Sequence, residues 1–211
     1  MKMRDSYFEA GYYHATLEKP SKKYHVVEGF FKRHRVRKVL DLGCGAGRHT
    51  YLLAKAGFDV YGFDISMRAL QINKKLLKRH KVNARLRRWD MLKPWPYKTG
   101  FFDAVFASRV MYQFRVKEIK KNVNEVRRVL KKDGYLFWEG PTYKTTGNLF
   151  YKEKLKFIEP GTWLSIGGPY DGHAYHRFKD KKEVTELLKG FKMLRFDFRG
   201  ATFSLIAKKI K

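Results

Sequence analysis

Val39-Leu40-Asp41-Leu42-Gly43-Cys44-Gly45-Ala46-Gly47-Arg48-His49-Thr50 is the stretch whose reading decides the fold. Its apolar start continues from Val36 and reads as a buried strand; three glycines at every second position then let the backbone turn tightly and approach a ligand before a helix begins. A dinucleotide-binding turn places its third glycine three residues after the second, where this chain has Arg48. Here the third glycine comes two after, at Gly47, which argues against a nicotinamide or flavin cofactor.

Outward from that turn the chain alternates between helical and extended patterns. Residues 47–56 read as a helix stopped by Gly57, and residues 58–64 as a strand ending in Asp64. Asp64 lies 17 residues after Gly47, close to where a Rossmann-type fold places the carboxylate that accepts hydrogen bonds from ribose hydroxyls. Ser66 caps a helix reaching about His80, with Ala69, Leu70, Ile72, Leu76 and Leu77 inward and lysines outward. A strand at 82–89 is followed by Asp90 and Met91, and 102–108 is apolar enough to be a central strand covered on both faces. Residues 116–131 have apolar positions at helical spacing, Gly134 turns the chain into a strand ending at Glu139, and the C-terminus reads as a helix at 180–189 and two strands at 191–198 and 201–208. Upstream, Val26, Val27, Phe30 and Phe31 mark one face of a helix near 21–34.

Asp41-x-Gly43-x-Gly45-x-Gly47, followed by acids at two successive strand ends, resembles motif I and its downstream partners in the class I S-adenosylmethionine-dependent methyltransferases. The resemblance covers residues 36–139 by motif and the C-terminal hairpin by architecture. It implies one α/β domain over 1–211, a three-layer Rossmann-like sheet that is mostly parallel with one antiparallel strand near the C-terminus. It also implies S-adenosyl-L-methionine as cofactor; no metal is expected, since no third ligand lies near His173 and His176 in the sequence. On this reading Asp41, Gly43, Cys44, Gly45, Gly47, Asp64, Ile65, Asp90, Met91 and Ser108 line the cofactor, with Asp64 on the ribose, Asp90 on the adenine amino group and Met91 against its ring.

In the same family the segment after the fourth strand, here Ser108-Arg109-Val110-Met111-Tyr112-Gln113-Phe114, begins the acceptor pocket. Enzymes that methylate exocyclic base amines often carry an acidic, Asn or Ser residue, two prolines and an aromatic there. This chain has Ser108, Tyr112 and Phe114 but no prolines, so base-amine specificity is permitted and not shown. Residues 140–178 break the alternation with five glycines and two prolines beyond Gly140 and Pro141, and irregular stretches of that length usually serve a site. Within them, Gly167 to Phe178 is the candidate acceptor clamp: Tyr170 and Tyr175 offer rings, Arg177 a phosphate partner, and His173 and His176 proton acceptors. Ser108, Tyr112 and His176 are the candidate catalytic residues, and Arg109, Tyr112, Phe114, Tyr170, His173, Tyr175 and Arg177 the candidate substrate contacts. Tyr7, Phe8, Tyr12 and Tyr13, in the segment 1–35, either pack on the domain or form a lid facing the cofactor's sulfonium.

Composition narrows the class. With 211 residues, 44% of them hydrophobic, the chain can build one sizeable core, and it shows no long apolar run, so a cytoplasmic monomer is expected. A lone cysteine, Cys44, excludes an intrachain disulfide and any multi-cysteine metal site. Lys and Arg total 47 against 20 Asp and Glu, a net charge of +27, far beyond what solubility requires. A polyanionic partner is the direct inference, with a heat-adapted surface as the alternative, although such surfaces usually balance Lys with Glu. Structured RNA, ribosomal or transfer, is therefore the expected acceptor, methylated at a base nitrogen such as an exocyclic amine. Two rivals stay open: a small-molecule or protein methyltransferase with a basic surface, and a ribosome-assembly factor that holds the cofactor without catalysis.

Overall fold

The computed structural model describes residues 19–145, 154–167 and 171–210. The proposed aromatic lid and Tyr170 lie outside the described residues.

Helix α1 (Tyr24–Arg33) buries Tyr24, Val27, Phe30 and Phe31 at i, i+3, i+6 and i+7, whereas Val26, expected on that face, is 45% exposed because it falls between those positions. The chain then runs β1 (Lys38–Leu42), α2 (Thr50–Lys55), β2 (Asp59–Asp64), α3 (Met67–Arg79), β3 (Arg85–Arg88), β4 (Phe102–Ser108), α4 (Val116–Val129) and β5 (Leu130–Pro141). It continues through β6 (Lys154–Glu159), β7 (Thr162–Ile166), β8 (Ala174–His176), α5 (Lys181–Leu187), β9 (Phe191–Asp197) and β10 (Thr202–Lys209).

Seven strands form one sheet in the order β3-β2-β1-β4-β5-β10-β9. β1 to β5 pair in parallel, and β10 inserts antiparallel between β5 and β9. This is the α/β architecture with one antiparallel strand that the motif implies. The central strands β1 and β4 are buried almost throughout, because helices cover both faces of the sheet. On one face Phe30, Phe31 and Leu53 pack on Val39, Phe106 and Phe137; on the other, Ile119, Val123, Val126 and Val184 pack on Leu40, Val105, Trp138 and Leu205.

Two boundaries move for local reasons. The helix expected from residue 47 begins at Thr50, since Gly47 stands at φ +96° and stays in the turn. The strand expected at 82–89 shrinks to 85–88, because the chain leaves α3 through Lys81 at φ +51°. The larger correction concerns 140–178, which is not irregular throughout: β6, β7 and β8 form a separate three-stranded antiparallel sheet. Gly161 makes its tight turn at φ +79°, and any side chain there would meet the His176 ring. Glu159 of this small sheet accepts the Val116 N–H at 2.8 Å, so it caps α4 and ties the second sheet to the main domain.

Candidate functional site

The glycine turn sits at the C-terminal end of β1, where open α/β sheets carry their ligands. Gly43, Gly45 and Gly47 all have positive φ (61°, 49° and 96°). A Cβ on Gly43 would stand 2.3 Å from Val110, and one on Gly47 would stand 2.3 Å from the Asn73 side chain. Only glycine therefore fits either position, which is the physical content of the spacing. Beneath the turn, Asp41 is buried and accepts the Thr50 hydroxyl at 2.7 Å. Burial pushes its carboxyl up to about 7, against the lowering effect of that hydrogen bond. Cys44 is packed among these groups, and burial raises its thiol well above the ordinary range.

Asp64, at the end of β2, accepts the Gly45 N–H at 3.0 Å and the Ser66 N–H at 2.9 Å, which orients its carboxylate toward the turn. Ile65 follows it, its carbonyl held by Arg88. Asp90 accepts the Leu92 N–H at 3.0 Å, and Met91 is nearly buried with its methyl facing Gly43. Of the positions expected to contact the cofactor, Asp41, Asp64 and Met91 lie against the glycine turn, whereas Ser108 hydrogen-bonds to Glu139.

Asn73 was not among them. It lies on the buried stripe of α3 and donates to the Gly45 carbonyl and the Thr50 hydroxyl. Its signal was in the sequence: a polar residue on the otherwise apolar face that holds Ala69, Leu70 and Leu77.

The neighbouring strand ends hold a buried polar network. Glu139, on β5 and 6% exposed, accepts the Ser21 hydroxyl at 2.5 Å and the Ser108 hydroxyl at 3.0 Å, with Arg109 Nε 3.5 Å away. Ser21 also donates its backbone N–H to His49 Nε2 at 2.9 Å. Burial, reinforced by Arg48 and Arg109, holds the His49 imidazole well below its ordinary pKa, so it is neutral and able to accept that bond. Arg109 adopts φ +56°, an uncommon conformation for a side-chain-bearing residue, where β4 gives way to the loop. Glu139, Ser21 and His49 carried no signal as a set, since they meet only in three dimensions.

The remaining expectations divide. Tyr112 is 6% exposed and its ring lies 6.5 Å from that of Tyr175, itself 4% exposed. Phe114 is 2% exposed and belongs to the core instead of a stacking surface. Arg177 stacks over Trp163, and His173 uses its carbonyl to pair β7 with the loop before β8. His176 is corrected: it is fully buried, with Nδ1 2.8 Å from the Thr162 hydroxyl and Nε2 2.7 Å from Glu183. Both ring nitrogens are engaged, so it works as a strut between the small sheet and α5, not as a proton acceptor for substrate. Among the described residues, no cluster of three His, Cys, Asp or Glu side chains has metal-binding geometry, and no helix is long and apolar enough to cross a membrane.

Residues 39–134 match the family described as a methyltransferase domain. A demethylmenaquinone methyltransferase of Tropheryma whipplei is 38% identical over 154 residues, covering 71% of this chain and 62% of the relative. The chain spans between 44% and 62% of the length of the curated relatives that it matches first. Among solved structures, an S-adenosylmethionine-dependent methyltransferase from Clostridium acetobutylicum shares the fold at TM-score 0.74 and 16% identity, covering 96% of this chain and 98% of that one. The 1,6-didemethyltoxoflavin-N1-methyltransferase of Burkholderia thailandensis, solved with its substrate and S-adenosylhomocysteine, does so at TM-score 0.71 and 15% identity, covering 98% and 85%.

Proposed function

Since the chain contains a class I, Rossmann-like S-adenosylmethionine-dependent methyltransferase domain, we propose that the protein methylates an oxygen or nitrogen of a small-molecule acceptor bound beside Ser108, Arg109 and Glu139. One observation carries the choice of acceptor. Of the four rings expected to stack an extruded RNA base, the three among the described residues, Tyr112, Phe114 and Tyr175, are 6%, 2% and 4% exposed and packed into the protein. The Tropheryma and Burkholderia proteins, named for a quinone and a toxoflavin precursor, support the same direction.

The residues present suit S-adenosyl-L-methionine. Gly43, Gly45 and Gly47 hold the turn's backbone at positive φ, with Gly43 close against Val110 and Gly47 against Asn73, and Asp64 and Asp90 supply carboxylates at successive strand ends for ribose hydroxyls and an adenine amino group. When bound, the cofactor supplies a sulfonium methyl that is already activated. The chain's task is then mainly alignment, and orientation alone supplies a large part of such accelerations. Ser108 gives its hydroxyl hydrogen to Glu139, which leaves its lone pairs to accept an N–H or O–H and turn the acceptor's own lone pair toward the methyl. Glu139, hydrogen-bonded to Ser108, is the carboxylate assigned to take the released proton.

A second reading keeps ribosomal or transfer RNA as acceptor, supported by the net charge of +27. The deciding experiment incubates the protein with methyl-labelled cofactor and, separately, total cellular RNA and a small-molecule and lipid extract. Label in the extract alone is the expected result. Label in nucleosides after digestion transfers the assignment to RNA, and binding of the cofactor with label in neither fraction leaves a cofactor-holding assembly factor.

A further inference from the structure

Between Ile65 and Trp89 the chain carries nine Lys and Arg and not one Asp or Glu. This stretch folds into α3 and the edge strand β3, and all nine cationic side chains are exposed. Lys74, Lys75, Lys78 and Arg79 share the outer face of α3, while Arg85 and Arg87 of β3 stand in register with Tyr61 and Phe63, on the opposite face of the sheet edge. The nearest acid at the far end of the strand is Asp59, which pairs with Arg85; Asp64 and Asp90 lie at the cofactor end.

Ordinary structural needs account for part of this. Cations in the last turn of a helix suit its dipole, and charges on an edge strand prevent edge-to-edge pairing. Neither explains like-charge pairs at Lys74–Lys78 and Lys75–Arg79, which weaken a helix. The outer face of α4 shows the contrast, for there Glu118 and Glu125 are interspersed among the cations and Glu125 pairs with Arg128. A surface that is only solvated mixes its signs as α4 does.

We propose that the outer face of α3, beside the β3 edge of the sheet, binds the phosphodiester backbone of a double-stranded nucleic acid. Backbone binding needs an array of cations and no base-reading groups, which the outer face of α3 supplies. The surface carries little apolar area with which to enter a bilayer: Met67 is the one large apolar side chain exposed on α3. It is also remote from the acceptor groups. β3 is separated from β4 by two strands, which puts Ser108 roughly 14 Å away across the sheet at about 4.8 Å per strand. The surface therefore anchors the protein on a polyanion independently of which molecule is methylated.

The test uses the full chain and fluorescent 20-base-pair duplexes of RNA and of DNA with one sequence, titrated across salt concentrations. Binding is expected to weaken linearly in log salt. In a Lys74→Gln, Lys75→Gln, Lys78→Gln triple variant the slope should fall by roughly three, about one per lysine, with affinity down more than tenfold at low salt. A charge-matched control, Lys117→Gln, Lys120→Gln, Lys121→Gln on α4, should stay within twofold of the parent. Whichever duplex binds more tightly identifies the source of the phosphodiester. If the triple variant misfolds, protection of Lys74, Lys75 and Lys78 from acetylation in the parent complex gives the same answer. Equal losses in both variants, no binding to either duplex, unprotected lysines, or binding only to phosphatidylglycerol vesicles would each overturn the proposal.

Discussion

The two halves of the site are built in opposite ways. The glycine-turn half draws on residues 41–91, and its groups stand at strand ends or in the turns that follow, braced by Thr50 of α2 and Asn73 of α3. The acceptor half joins Ser21, His49, Ser108 and Glu139, four residues from four separate elements, through buried side-chain hydrogen bonds. The first depends on backbone conformation and the second on polar satisfaction inside a packed interior. They should therefore fail differently when altered.

The largest effect is expected at the turn. Gly47→Ala adds a Cβ that would stand 2.3 Å from the Asn73 side chain at a backbone φ of +96°, and should cost about 4 kcal/mol of stability, measured by denaturant unfolding. A loss under 1 kcal/mol would mean that the turn yields and that glycine is not required there. In the acceptor half, Glu139→Ala leaves two buried hydroxyls and a nearby guanidinium without their carboxylate, and about 3 kcal/mol should be lost along with methyl transfer. Glu139→Gln should recover much of the stability but not the rate; equal activity of the two variants would remove Glu139 from the chemistry.

Asp41 lies beneath the turn and gives a pH signature. Burial raises its folded pKa to about 7, above its unfolded value, so the folded protein holds this proton to higher pH than the unfolded chain does. Its contribution to stability is complete below about pH 4 and is lost as pH rises to about 7. Asp41→Asn, neutral throughout, should gain on the parent across that window by on the order of 2 kcal/mol, read from melting temperatures in a buffer series. A constant offset between the two proteins would show that Asp41 is ionised in the fold at all these pH values.

The smallest effect concerns the cofactor. Asp64→Ala should weaken S-adenosyl-L-methionine binding by about tenfold, or ~1.4 kcal/mol, through loss of charge-assisted hydrogen bonds, with a modest fall in melting temperature because the Gly45 and Ser66 N–H groups lose their acceptor. Calorimetric titration giving unchanged affinity would refute the ribose assignment.

How much of this was legible follows from the same contrast. Gly43, Gly47 and Asp64 could be read because a turn after a strand imposes conformation and spacing on consecutive residues. The mostly parallel sheet with one antiparallel strand near the C-terminus was implied by the family resemblance that the turn carries, whereas the strand order came from the structure. His176 misled for a physical reason: a histidine in a glycine-rich stretch looks accessible, yet Thr162 and Glu183 close over both its nitrogens. The small β6–β8 sheet was hidden because short strands between glycines carry weak periodicity.

The sequence by itself determined the glycine turn, the acids after β2 and β3, the amphipathic faces of α1, α3 and α4, and the run of cations without acids from 65 to 89. All of these are properties of neighbours along the chain, set by backbone sterics and hydrophobic period. Tertiary structure alone decided that Ser21 and Ser108 share Glu139, that Tyr112, Phe114 and Tyr175 are buried, and that α3 carries its exposed cations beside the β3 edge of the sheet. Those facts depend on which distant segments exclude water from one another, and no spacing along the chain encodes that.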